Sequence, residues 1–134
     1  MKWTYNDGGR SRYFRKGGVG DCVIRAIAIA ADKDYKDVYN TARQLLGYTP
    51  RNGVHKKDTK RMMQAFGGRW RATMTIGSGC TTHLKEGEVP MNGRLVCNCS
   101  GHVVAVINGV INDTYDPSRE GTRCVYGYWL FSNI

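Results

Sequence analysis

The chain has 134 residues, a length that suits one compact domain and is too short for two. Its composition is 41% hydrophobic and 23% charged, without repeats or polar tracts, which excludes a disordered or fibrous protein. The formal net charge of +9 is uneven, because residues 1–71 hold 16 Lys and Arg against 6 Asp and Glu, whereas residues 72–134 hold 4 against 5. A basic amino-terminal half favours acidic partners, including nucleic acid.

The hydropathy pattern and the cysteines suggest a compartment. No apolar run approaches the roughly 20 residues of a membrane-spanning helix, and the first residues lack the apolar stretch of a signal peptide. We therefore expect a soluble, cytoplasmic protein without membrane insertion. The cysteines are odd in number and scattered, which predicts reduced thiols rather than a disulfide framework. They are Cys22, Cys80, Cys97, Cys99 and Cys124.

The first half of the chain has the pattern of helices. Residues 1–20 are rich in Gly, Arg and aromatic residues without a helical or strand period, which predicts an arm and a loop. A helical part is predicted over residues 21–67. Asp21 is placed to cap a buried first helix that is apolar on nearly every side except at Arg25. A second helix is predicted between a cap at Asp34 and a stop at Gly47, and a third over residues 57–66.

From Trp70 onward the pattern changes to strands. Asn108-Gly109 lies between two apolar runs and is typical of a tight hairpin, because both residues tolerate a positive φ. Helices followed by strands predict a single α+β domain, with N-terminal helices packed on an antiparallel β-sheet that is built from residues 70–134. The predicted strands are residues 70–76, 94–99, 102–107, 110–115 and 124–131.

Cys22 lies at the first position of the predicted buried helix. Unpaired backbone N–H groups and the helix dipole stabilise a thiolate at that position, and the Cys22 N–H can also donate to an oxyanion. Three histidines are available as its base. His55 and His83 fall in predicted loops, whereas His102 opens an apolar strand, which places its ring at a strand end beside a cleft. This pattern predicts a Cys22–His102 pair.

The register of the hairpin decides which carboxylate meets His102. With a two-residue turn at Asn108-Gly109, residue 107 pairs with residue 110, and Asp113 is the acid on the same face as His102. With a three-residue bulged turn, Asp116 lies directly opposite His102. The spacing leaves both possibilities open.

These residues resemble a known family. The order of a cysteine that opens a buried helix, a late histidine on a strand, and Asp116-Pro117 after a hairpin is similar to that of the papain-like cysteine peptidases. It resembles in particular the branch that trims double-glycine leaders, and small phage-encoded proteins with an Asp-Cys-Val-x-Arg-Ala helix start. The resemblance follows the order of elements over residues 14–131 and is closest over residues 20–31 and 101–117.

The resemblance implies a papain-like fold and a role for each matched residue. Cys22 becomes the nucleophile, His102 the general base and acid, and Asp116 the orienting carboxylate in preference to Asp113. The implied activity is that of a thiol peptidase that cleaves a peptide or protein substrate through a thioester acyl-enzyme, with no cofactor or metal, in the host cytoplasm if phage-encoded. The residues expected beside the oxyanion and the cleft are Lys16, Gly20 and Asp21.

Two departures from the family pattern leave an alternative. The papain signature Cys-Gly-Ser/Ala-Cys-Trp/Tyr is absent, and Lys16, Gly17 and Gly18 occupy the place of the glutamine that donates to the oxyanion. The alternative is a weakly active or inactive papain-like phage protein that binds host nucleic acid or an acidic host protein. Its binding residues would be the basic cluster Arg10, Arg12, Arg15, Lys16, Arg51, Lys56, Lys57, Lys60, Arg61, Arg69 and Arg71, which interleaves with aromatic residues.

A zinc site is a further alternative. Cys80, His83, Cys97 and Cys99 are of the residue types that bind tetrahedral zinc. However, Cys-x-Cys is a poor chelating spacing compared with Cys-x-x-Cys, and Cys97 and Cys99 belong to an apolar strand. The preferred interpretation is that both face the core and that no metal is bound.

Overall fold

The structure of the chain is a computed structural model that describes residues 1–14 and 20–131. Its helices are α1 (Cys22–Ala30), α2 (Tyr35–Leu46) and α3 (Thr59–Ala65). The strands are β1 (Lys2–Tyr5), β2 (Arg69–Ala72), β3 (Arg94–Cys99), β4 (His102–Ile107), β5 (Val110–Asp113) and β6 (Val125–Phe131). One six-stranded sheet has the order β1-β5-β4-β3-β6-β2. The predicted α+β class is confirmed.

Helix α1 packs across β4 and β3 and forms the centre of the main core. Every residue from Val23 to Ala30 is buried, including Arg25, because the helix is apolar around most of its circumference and needs cover on all sides. Helix α2 covers α1 with Val38, Tyr39 and Ala42. The predicted burial of the first helix is confirmed.

The ends of α2 follow the predicted local signals. The Asp34 side chain accepts a hydrogen bond of 3.2 Å from the Lys36 N–H, and Gly47 ends the helix in the left-handed region at φ 78°. Asp21, in contrast, makes no capping hydrogen bond through its side chain within the described residues. The prediction that Asp21 caps α1 is wrong, because its carboxylate bonds to other side chains in the interior.

The sheet is mixed rather than antiparallel. Residues 2–5, predicted to belong to an arm, form β1, which pairs in parallel with β5 from Lys2↔Val110 to Tyr5↔Asp113. All four residues of β1 are exposed, so the strand has no buried face to reveal it as an alternating pattern. Backbone hydrogen bonds to β5 hold this strand, and the pattern of apolar residues in the sequence does not predict those bonds.

The β4–β5 hairpin has the predicted tight turn. Asn108 has φ 47° and Gly109 has φ 80°, and Ile107 pairs with Val110 across a two-residue loop. Strand β5 ends at Asp113 instead of residue 115.

Strand β2 is shorter than its predicted range of residues 70–76. It ends at Ala72, after which the chain turns between Thr75 and Ser78 with Gly77 at φ 82°. Ile76 is fully exposed and does not pack against the core.

Cys80 and Cys124 form a disulfide with a Cα–Cα distance of 5.8 Å. The prediction of reduced thiols is therefore wrong for this pair, while Cys22, Cys97 and Cys99 are thiols. The two cysteines are 44 residues apart in the chain, and the His83↔Cys124 bridge brings the segment after Cys80 alongside the start of β6. Sequence spacing alone does not predict such a contact.

Among the described residues, the helices are all too short or too polar to cross a membrane.

Candidate active site

Cys22 occupies the first turn of α1 and is partly exposed. Gly20 leads the chain into this turn at φ 83°, where a Cβ would lie 2.8 Å from the Asn52 carbonyl oxygen. The loop around Asn52 therefore packs against the approach to Cys22. The backbone N–H of Val103 and the ring of His102, both at the start of β4, favour the thiolate form of Cys22. The helix start and the first residues of β4 thus meet at this thiol.

His102 lies at the start of β4, where it hydrogen bonds to Asp113 and adjoins Cys22. Its Nε2 lies 2.7 Å from Asp113 Oδ2, with the two side chains only 8% and 4% exposed. Because the carboxylate occupies Nε2, Nδ1 is the ring nitrogen that remains available to the Cys22 thiol. The three side chains form a chain of thiol, imidazole and carboxylate, which is the arrangement that activates a cysteine nucleophile.

The electrostatics of these groups favour the charged pair. Burial opposes ionisation of Cys22, but hydrogen bonds from His102 and the Val103 N–H outweigh it, and they lower the pKa of the thiol. Burial also disfavours the imidazolium of His102, but its hydrogen bonds to Asp113 and Cys22 prevail and raise its pKa. A depressed thiol pKa beside a raised histidine pKa stabilises the thiolate–imidazolium pair.

A pH profile of Cys22 alkylation tests this pairing. We expect the rate constant for iodoacetamide to rise around a midpoint below the value of about 8.5 that an ordinary cysteine shows. In His102→Ala the cationic partner is lost while most of the burial remains, so the midpoint should move upward. His83→Ala is the matched control, because His83 also contacts a carboxylate, at 3.0 Å from Glu88, but belongs to another site. Equal midpoints in wild type and His102→Ala would contradict the pairing.

A buried charge network lies behind Asp113. Arg25 forms an ion pair with Asp21 one helical turn earlier, and its other terminal nitrogen lies 3.4 Å from Asp113 Oδ1. Asp21 is 1% exposed and also receives the Tyr35 hydroxyl at 2.9 Å. Arg10 Nε approaches Asp21 Oδ2 at 2.8 Å as an ion pair, without the geometry of a directed hydrogen bond. Two arginines therefore compensate two buried carboxylates, and Arg25 links α1 to the acid of the site.

Strand β1 holds the Asp113 backbone in place. Tyr5 pairs with Asp113, and the Asn6 N–H donates to the Asp113 carbonyl oxygen at 2.9 Å. The Thr114 N–H donates to Asp113 Oδ1 at 2.7 Å. These bonds leave Oδ2 to His102, which orients the imidazole ring towards Cys22. Burial would raise the pKa of Asp113, but the hydrogen bonds from His102 and the Thr114 N–H outweigh it and lower that pKa.

The register decides between the two candidate carboxylates. Ile107 pairs with Val110, which is the two-residue turn, and Asp113 meets His102. Asp116 lies beyond the end of β5 and is exposed, and its Oδ1 accepts a hydrogen bond from the Ser118 N–H at 3.0 Å. The expectation that Asp116 lies against His102 is therefore wrong in geometry. The bulged turn that it required does not form.

No family model, no curated protein and no solved structure matches this chain.

The residues expected beside the oxyanion have different surroundings. Lys16 lies outside the described residues. Gly20 is exposed and lies two residues before Cys22, and its role beside the cleft stays a prediction. Asp21 is buried beneath the helix start and ion-paired, so its expected place at the cleft is wrong. A buried carboxylate between two arginines supports the helix, and it is not available to a substrate.

The other cysteines do not join the site. Cys80 Sγ lies 3.6 Å from His83 Nε2, but Cys80 is bonded to Cys124. Cys97 and Cys99 belong to the core on the opposite face of the sheet, and burial raises the pKa of Cys99 to about 12. The described residues contain no group of three or more His, Cys, Asp or Glu side chains that could hold a metal ion. The four residues that the sequence offered as zinc ligands therefore do not come together in one site.

Arg25 is the part of the site that the sequence interpretation missed. It is the one charged residue in an otherwise apolar helix, and it follows Asp21 by four residues, a spacing that places two side chains on one helical face. Those two signals together could have indicated a buried ion pair. Its contact with Asp113, 88 residues later, has no signal in the local sequence.

Proposed function

We propose that this protein is a cysteine-dependent acyl-transfer hydrolase, most simply a peptidase, with Cys22 as nucleophile, His102 as general base and acid, and Asp113 as the orienting carboxylate. One observation carries the proposal: His102 hydrogen bonds to Asp113 at 2.7 Å and adjoins Cys22, where its ring outweighs burial and helps to lower the pKa of the thiol. The other two thiols, Cys97 and Cys99, are buried and have raised pKa values. The chemistry therefore belongs to Cys22.

The proposed reaction needs only these groups. His102 holds the proton of Cys22 as imidazolium, and the thiolate attacks the substrate carbonyl carbon to form a C–S bond. Backbone N–H groups in the first turn of α1, including that of Cys22, point towards the resulting oxyanion. His102 then gives its proton to the leaving amine as the C–N bond breaks, which leaves a thioester. Water, deprotonated by His102, hydrolyses the thioester and restores the thiol.

The proposal includes a papain-like arrangement of the fold. It is supported by the order of elements, in which a cysteine at the start of a buried helix precedes a histidine at a strand end, and by the packing of α1 on β4. The parallel edge strand β1 is an addition to the expected antiparallel sheet. It contributes to the site through the backbone of Asp113.

A burst experiment tests the proposal. With para-nitrophenyl acetate, wild-type protein should release about one equivalent of nitrophenolate in a burst, and acetyl should be found on Cys22 by peptide mass analysis. Cys22→Ala should lose the burst and the acetylated peptide. His102→Ala should slow the burst by about 10²-fold or more, whereas the matched variant His55→Ala should not. Acetylation of Cys22 by para-nitrophenyl acetate at the same rate as that of Cys97 and Cys99 would overturn the proposal.

The rival candidate is a binding protein without turnover. The segment from residue 51 to 71 favours it, because it contains seven Lys and Arg residues and one acidic residue, Asp58. Such a surface binds polyanions with an affinity that falls steeply as salt rises. Salt-sensitive binding of an oligonucleotide that Cys22→Ala leaves unchanged, together with no burst from wild type, would favour the rival.

A further inference from the structure

A cavity of about 280 Å³ opens between the α3 region and the β2–β6 edge of the sheet. It is large enough for one aromatic side chain. A larger cavity of about 510 Å³ lies at the carboxyl end of α2, and its lining does not include Cys22, His102 or Asp113. The residues that line the smaller cavity are Lys56, Thr59, Lys60, Trp70, Asn98 and Trp129.

The smaller cavity adjoins the reactive thiol. Asn98 in β3 pairs directly with Val103 in β4, and antiparallel partners carry their side chains on the same face within about 5 Å of each other. Val103 follows His102 in β4, and its N–H lies beside Cys22, whose thiolate form it favours. The wall of the cavity at Asn98 is therefore one strand away from the thiol. A chain lying across Cys22 can place a neighbouring side chain in this cavity.

Two tryptophans make the cavity suitable for a planar apolar group. The Trp70 and Trp129 rings lie 4.6 Å apart between centroids at an interplanar angle of 54°, and Trp70 is 40% exposed. Trp70 lies over Gly127, where a Cβ would collide with the indole ring. The buried Nε1–H of Trp129 lacks a hydrogen-bond partner among residues 1–14 and 20–131. Aromatic walls of this kind pack against an inserted ring in tilted or stacked geometry.

The rim of the cavity is basic. Lys56 and Lys60 line it from the α3 side, and both side chains are exposed. A single carboxylate, Asp58, lies in this stretch of the chain, and it accepts a hydrogen bond from the Tyr48 hydroxyl at 2.8 Å. The uncompensated positive charge favours a ligand whose flanking groups are acidic.

We propose that this cavity is the specificity pocket of the thiol site and that it binds an aromatic side chain of an acidic polypeptide substrate. The inference rests on the proposed function. It favours a polypeptide over a nucleic acid because the adjacent thiolate attacks a carbonyl carbon, and a polypeptide supplies that carbonyl next to a side chain. Trp70 and Trp129 form the walls for the aromatic ring, and Lys56 and Lys60 attract the flanking carboxylates. Together they set which peptide bond reaches Cys22.

Matched covalent probes test the pocket. The probes are peptidyl vinyl sulfones, to which the Cys22 thiolate adds, with phenylalanine or alanine at the first or second residue from the warhead and glutamate or lysine as neighbours. We expect the best phenylalanine–glutamate probe to modify wild type about tenfold faster than its alanine–lysine counterpart. Trp70→Ala should remove the preference for phenylalanine, and Lys60→Glu the preference for glutamate. Each probe rate is divided by the rate of iodoacetamide with the same variant, because iodoacetamide has no side chain for the pocket and reports only the reactivity of the thiol.

The control variant is Lys2→Glu, an exposed charge reversal on β1 at the opposite edge of the sheet, which should leave both preferences intact. Equal rates for all probes in wild type, with selective reaction of Cys22 towards iodoacetamide, would overturn the pocket and leave the proposed hydrolase standing. Unselective iodoacetamide labelling would overturn both. If a single-stranded oligonucleotide quenches the fluorescence of Trp70 and the acidic peptides do not, the pocket belongs to a nucleic acid and the inference is wrong.

Discussion

Asp113→Ala is expected to slow acyl transfer from para-nitrophenyl acetate by about 10²- to 10³-fold, because His102 loses the carboxylate that orients its ring and supports its charge. Asp116→Ala should stay within about twofold of wild type, since Asp116 bonds only to the Ser118 backbone among the described contacts. The two aspartates lie three residues apart in one turn region, so the comparison isolates the contact with His102.

The pH profile of Asp113→Ala carries a second signature. The hydrogen bond with Asp113 raises the pKa of His102. Removal of Asp113 should therefore lower that pKa, so that the imidazolium loses its proton at a lower pH. The alkaline limb of the rate profile should then move to lower pH, which a general loss of stability does not produce. Asp113→Asn should retain part of the rate, because an amide can still accept from the ring. Similar losses in Asp113→Ala and Asp116→Ala would contradict the assignment of the acid.

Arg25→Met is expected to lower the free energy of unfolding by about 3–5 kcal/mol, because it leaves two buried carboxylates with part of their charge uncompensated. Arg10 and the Tyr35 hydroxyl remain on Asp21, but Asp113 loses its contact with the guanidinium. Such a loss is a large part of the roughly 5–15 kcal/mol that stabilises a domain of this kind. Urea unfolding followed by tryptophan fluorescence measures it.

The matched control for Arg25→Met is Arg43→Met, which removes an exposed arginine from α2 and should change stability by about 0.5 kcal/mol or less. Adding Asp21→Asn to Arg25→Met removes one of the buried charges and should recover part of the loss, which a double-mutant cycle quantifies. A loss below about 1 kcal/mol in Arg25→Met, or no recovery in the double variant, would show that Arg25 does not compensate these carboxylates.

Local signals in the sequence determine most of the elements. The apolar run after Cys22, the cap at Asp34 and the turn at Asn108-Gly109 each predict a helix or hairpin that the structure contains. Each of these depends on interactions between residues within a few positions, such as capping hydrogen bonds and tolerance of positive φ. Strand β1 has no such signal, since it is exposed along its length and held by a strand more than 100 residues later.

The sequence by itself selected Cys22 and His102, because a thiol at a helix start and a histidine at a strand start each have a local chemical reason to be reactive. Only the tertiary structure decided that Asp113, rather than Asp116, meets His102, since a shift of one residue in the hairpin exchanges the two. It also brought Arg25 to Asp113 and Trp70 to Trp129. Those contacts join distant parts of the chain, and the packing of α1 and β6 on the sheet sets them.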